Sequence, residues 1–102
     1  MASRADTGTT TVTTAGTRVR VNNIANKLNS IVFKAPIANA GTVYYGLADV
    51  SATNGWPLAP GEESPTFNFG AGSVAFDVWW IDSASNGDKV AWSVIYEQGG
   101  GG

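Results

Sequence analysis

The chain has 102 residues, of which 43% are apolar and only 14% charged, with a formal net charge of −2. That length makes one domain, since chains divide only above roughly 150–250 residues. The charge balance excludes the basic footprint of a nucleic-acid binder or an anionic-membrane binder, and the lack of any His or Cys excludes His-based triads, Cys nucleophiles, zinc sites and redox pairs.

Taken in chain order, the residues read as strands. Thr9-Thr10-Thr11-Val12-Thr13-Thr14 is β-branched throughout and stops at Ala15-Gly16. Arg18-Val19-Arg20-Val21 alternates, with the valines inward. Residues 24–28 allow one helical turn at most. Ser30-Ile31-Val32-Phe33-Lys34 resumes as strand and ends before Pro36. Thr42-Val43-Tyr44-Tyr45-Gly46-Leu47 puts Val43, Tyr45 and Leu47 on one face. A long loop over 51–60 carries the turn pairs Asn54-Gly55 and Pro60-Gly61. Thr66-Phe67-Asn68-Phe69 alternates and ends at Gly70-Ala71-Gly72-Ser73, a turn with neither the helix nor the Lys of a phosphate cradle. Residues 74–81 read as one unbroken strand with Val74, Phe76, Val78 and Trp80 inward. Ser85-Asn86-Gly87-Asp88 fits a type I′ hairpin. Residues 90–96 then alternate with Val90, Trp92, Val94 and Tyr96 inward.

Seven to eight short strands without a convincing helix predict an all-β fold, an antiparallel β-sandwich of jelly-roll or immunoglobulin-like topology. Residues 9–98 form the sandwich, residues 1–8 a flexible N-terminal arm, and residues 99–102 a flexible Gly tail. The start of the chain has no apolar core that could serve as a secretory signal, so synthesis in a host cytoplasm is expected. Charge is divided unevenly. Residues 1–51 hold five basic groups against two acids, and residues 52–102 one basic group against six acids. Either interleaved strands neutralise each other, or the subunit is dipolar and meets its neighbour head to tail.

No constellation of residues supports catalysis. Glu62 and Glu63 are adjacent and point to opposite faces in extended chain. Residues 82–88 resemble a calcium loop at Asp82, Asn86 and Gly87 but fail at Ala84 and, further on, at Ser93. No enzyme activity, no metal and no cofactor are therefore expected. The aromatics are more informative. Tyr45, Phe33, Phe67, Phe69, Phe76, Trp80 and Trp92 are in phase with aliphatics and read as core. Trp56 lies in the long loop with Pro57 and Leu58, either as a plug over the sandwich or as an exposed partner anchor. Trp79 is out of phase, and with Ile81, Ile95 and Tyr44 it predicts an apolar face for self-association.

Three stretches resemble small β-sandwich structural proteins of tailed bacteriophages, often capsid decoration or cement proteins. They are Thr11-Val12-Thr13-Thr14-Ala15-Gly16-Thr17-Arg18-Val19, Gly41-Thr42-Val43-Tyr44-Tyr45-Gly46 continuing through 49–62, and 80–90. The resemblance implies a virion protein on the outer capsid surface, bound to the major capsid protein, commonly as a homo-oligomer (a dimer or trimer). In that setting Thr9, Thr10 and Thr11 are expected to add to a neighbour's sheet edge. Two other readings stand beside it: a tail or host-attachment component, and a carbohydrate-binding module using Trp56, Trp79 and Tyr44 as a platform. The last lacks a polar cluster flanking those rings on the same strand face.

Overall fold

The computed structural model describes residues 3–23, 27–69 and 74–97. The Gly tail over 99–102, the Gly70–Ser73 turn and most of the helical turn expected at 24–28 lie outside them.

The described residues form nine strands: β1 (Ser3–Val12), β2 (Val19–Arg20), β3 (Lys27–Lys34), β4 (Val43–Gly46), β5 (Trp56–Leu58), β6 (Phe67–Asn68), β7 (Val74–Ala75), β8 (Trp80–Ser83) and β9 (Asp88–Glu97). They build two antiparallel sheets. One is ordered β1-β9-β3-β6, with β7 also on β3, and the other β2-β8-β4-β5. Connections such as β1–β2, β3–β4, β5–β6 and β8–β9 cross from one sheet to the other, while β4 and β5 are neighbours. This is jelly-roll order, which decides between the two topologies left open by the sequence.

The strand β1 begins well before Thr9. It pairs with β9 without interruption from Ser3↔Glu97 to Val12↔Asp88, so from Ser3 onward the expected flexible arm is half of an edge strand. Asp6 and Gly8 are poor strand formers, but a ready-made ladder on β9 outweighs local propensity. Gly8 is required by packing, because a Cβ there would lie 2.4 Å from Cζ2 of Trp92. The indole of Trp92 lies across β1 and donates to Thr10 Oγ1 at 3.1 Å. Thr10 Oγ1 in turn donates to the carbonyl of Val21 at 2.7 Å, tying β1 to the end of β2 in the facing sheet.

The core contains Val12, Leu28, Ile31, Phe33, Val43, Tyr45, Phe76, Ile81, Val90, Trp92 and Val94. One sequence expectation is reversed here. Residues 76–78 form a 3-10 turn between β7 and β8, so the alternation slips by one residue. Trp79 is buried at 6% exposure and Ile81 is fully buried. Trp80 instead lies on the outer face, with the Arg20 guanidinium 4.9 Å from its ring centroid, and Val78 is exposed.

Residues 85–88 are also not a hairpin. They carry the chain from β8 in one sheet to β9 in the other, and positive φ occurs at Gly87 but not at Asn86. The buried acids organise these crossings. Asp88 accepts the amides of Ala40 at 2.8 Å and Gly41 at 2.9 Å, and Asp82 accepts the amides of Gly16 at 3.0 Å and Ser83 at 2.8 Å. The residues that resembled a calcium loop thus serve backbone amides that burial would otherwise leave unpaired.

Candidate interaction surfaces

The predicted site residues fall into three places. Trp79 and Ile81 belong to the core, Ile95 is exposed on the outer face of the β1-β9-β3 sheet, and Tyr44 is partly buried in the other sheet. The self-association face expected from these four residues therefore does not exist as one surface. Its phase was read through the 3-10 turn, and two of its members point inward.

The first real surface is the β1 flank. Thr9 and Thr11 are exposed, whereas Thr10 is only partly exposed and its hydroxyl is committed to Val21. Thr7 pairs with Ser93, which pairs with Val32; Thr9 pairs with Ala91, which pairs with Lys34. The small side chains of Ala91 and Ser93 make the floor of a trough of about 380 Å³, walled by Thr7 and Thr9 on one side and Val32 and Lys34 on the other. Glu63 closes the row, its backbone pairing with that of Lys34 in an isolated antiparallel bridge. Beyond β1, no strand among the described residues occupies the sheet's edge.

The second surface lies at the opposite flank, where β5 and β6 end their sheets. Trp56 is not in an unstructured loop; it opens β5 and sits directly opposite Tyr45 on β4. Leu58 is buried, while Pro57 is exposed and Trp56 remains 53% exposed. The Trp56 ring stacks on Tyr45 at 5.4 Å, and Tyr45 stacks on Phe33 at 4.8 Å. Phe33 meets Trp79 at 5.3 Å, and Trp79 meets Phe67 at 5.8 Å. Trp56 is thus both plug and exposed surface: one part of the ring extends the core's aromatic column and the rest faces solvent. Burial pushes the Tyr45 hydroxyl above its ordinary pKa, partly offset by its hydrogen bond with Ser64.

Beside Trp56 is a cleft of about 430 Å³, lined by Gly46, Leu47, Asp49, Thr53, Asn54 and Gly55 as well. Its wall is the loop between β4 and β5. Val50 is buried beneath that loop and packs so closely that a Cβ on Gly55 would lie 2.7 Å from Val50 Cγ2. Val50 N donates to Leu47 O at 3.0 Å, and Ser51 and Asn54 exchange two backbone bonds at 3.0 and 3.1 Å. Asn54 Nδ2 donates to the Asp49 carbonyl at 3.0 Å. Sequence reasoning missed Asp49, Thr53 and Asn54, and the usable signal was the Asn54-Gly55 turn returning the chain to Trp56.

No group of three or more His, Cys, Asp or Glu that could hold a metal occurs among the described residues. No helix among them is long and apolar enough to cross a membrane.

No family model matches the chain, and no curated protein matches it. Among solved structures, it is similar to a chain in the acidic stable capsid structure of Helicobacter pylori bacteriophage KHP30. The TM-score is 0.52 at 12% identity, over 94% of this chain and 87% of that one. It also aligns with a chain of the disulfide-linked pili formed by Bacillus endospore appendages, with a TM-score of 0.46 at 16% identity, over 92% and 87% of the two chains. At such identities the first likeness is one of fold.

Proposed function

We propose that this protein is a non-enzymatic structural component of a phage virion that docks on the outer capsid surface and stabilises the shell. The observation that carries the reading is the fold likeness to a chain of a phage capsid structure across nearly the full length of both.

The β1 flank is the surface that suits the role. An edge strand of ten residues without Pro or Lys offers a row of backbone groups to a neighbouring sheet. The adjoining trough, floored by Ala91 and Ser93, lets a partner surface approach the sheet closely. The partner is the major capsid protein, and the same edge permits a homo-oligomer on the lattice. Many weak copies of the contact add up, because each further contact on the shell is intramolecular.

The test is co-sedimentation with shells assembled from the major capsid protein of the same genome. Thr9→Lys with Thr11→Lys places two charges on the exposed side of β1, where surface substitutions cost the fold little. The double variant is expected to keep the wild-type melting temperature and to lose shell binding by at least roughly tenfold, since charge at a desolvated contact costs more than about 1.4 kcal/mol. Wild-type protein that fails to bind the shells, or a double variant that binds them normally, overturns the proposal.

A further inference from the structure

We infer that the cleft beside Trp56 is a saccharide-binding subsite that takes a neutral hexopyranose unit. This inference does not depend on capsid docking, because the cleft lies at the flank opposite β1 and is complete within one chain.

Three observations lead to it. First, Trp56 is 53% exposed although its ring is held by stacking on Tyr45 at 5.4 Å. A fixed, half-open indole presents a flat apolar face without losing rotamer freedom on binding. The axial C–H groups of a pyranose ring with equatorial hydroxyls make a complementary flat face. Second, the groups around that indole are suited to hydroxyls. Asp49, Thr53 and Asn54 line the same cleft as Trp56, so residues that carry a carboxylate, a hydroxyl and an amide surround it. This supplies, from a loop, the polar cluster whose absence along the strands weighed against sugar binding. The volume, about 430 Å³, is within the usual range for small-ligand sites.

Third, the loop is pre-organised. Val50 anchors it from below, Gly46 and Gly55 admit that anchor, and the Ser51–Asn54 and Asn54–Asp49 bonds hold its shape. Little ordering remains to be lost on binding, which matters for a shallow site with few contacts.

The chemistry discriminates against other ligands. No Lys or Arg lines the cleft, and Asp49 repels phosphate, so nucleotides fit poorly. A quaternary ammonium ion needs several aromatic faces around it, whereas Trp56 is the single aromatic lining this cleft.

The experiment is an amide and indole NMR titration of the full chain with two tetrasaccharides, of β-1,4-linked glucose and of β-1,4-linked N-acetylglucosamine, with choline in a third arm. The expected result is saturable movement of the Trp56 indole and of the Gly46, Asn54 and Gly55 amides with at least one saccharide. Asp49→Ala should leave the melting temperature unchanged, because its exposed carboxylate supports no other group, and should weaken that binding roughly tenfold. Trp56→Phe, which keeps a ring on Tyr45, should weaken it less than Trp56→Ala. Three results overturn the inference: no movement up to about 20 mM, where even a millimolar site would be saturated; binding indifferent to Asp49→Ala; or stronger movement with choline than with either saccharide. Shell co-sedimentation of the same variants reports separately on capsid docking, so the two readings fail independently.

Discussion

Truncating each of the adjacent tryptophans tests the one-residue phase slip at the 3-10 turn. Trp79 is 6% exposed and has Phe33, Phe67 and Phe69 within 5.3, 5.8 and 6.3 Å of its ring. Trp79→Ala removes an indole that buries about 150–250 Å². At about 25 cal/mol per Å² this is about 4–6 kcal/mol, close to the measured range of about 3–5 kcal/mol for such truncations. In a domain whose total stability is about 5–15 kcal/mol, the melting temperature should fall by about 15–30 °C. Trp80 is half-buried under Arg20, 4.9 Å from its ring centroid. Its cation–π contact contributes about 0.5–1 kcal/mol, in addition to the apolar area that the ring buries against the outer face of the sheet. Trp80→Ala should therefore lower the melting temperature clearly less than Trp79→Ala does. Calorimetric melts of the two variants, with near-ultraviolet circular dichroism as a check on packing, decide the matter. A Trp80→Ala protein as unstable as Trp79→Ala would refute the slip and restore one continuous strand over 74–81.

Gly8→Ala should destabilise by about 1–3 kcal/mol, although Ala has the better strand propensity, because its Cβ would meet the Trp92 indole at 2.4 and 2.6 Å. Combining it with Trp92→Phe, which removes the atoms struck, should recover part of that loss relative to additivity; strictly additive thermal shifts would show that the indole is not the obstacle. Tyr45, whose pKa burial raises, is more readily ionised unfolded than folded. Its contribution is fully present below about pH 10, the unfolded value, and is lost as pH rises through the higher folded value. Wild type should then lose more stability than Tyr45→Phe between neutral pH and strongly alkaline pH in urea titrations, and equal losses would count against the burial effect.

Much of this protein was legible in one dimension. The β class follows from Thr- and Val-rich runs with period two, and so does the inward facing of residues 90, 92 and 94 on β9. Phe33 on β3, read as core, and Val90, Trp92 and Val94 on β9 are all buried, whereas Leu47, read on the same face as Val43 and Tyr45, lies just past the end of β4 and is exposed. Alternation in a continuous strand is a local property, so sequence suffices there. The candidate surfaces were less accessible. The self-association face failed because a 3-10 turn of three residues reverses facing without leaving a Gly or Pro to mark it. β1 was cut short because Asp6 and Gly8 look unlike strand residues, and only the β9 ladder and the Trp92 indole explain them. The jelly-roll order depends on which edges meet across the sandwich, a matter of long-range pairing that no local pattern encodes. The Trp56 cleft has the same origin. Its residues run over 46–56, but their convergence depends on Val50 being buried under the loop and on Tyr45 presenting a ring from β4. Local periodicity determines which way a side chain faces; which residues it then meets is set by the packing of distant segments, and that exists only in the folded chain.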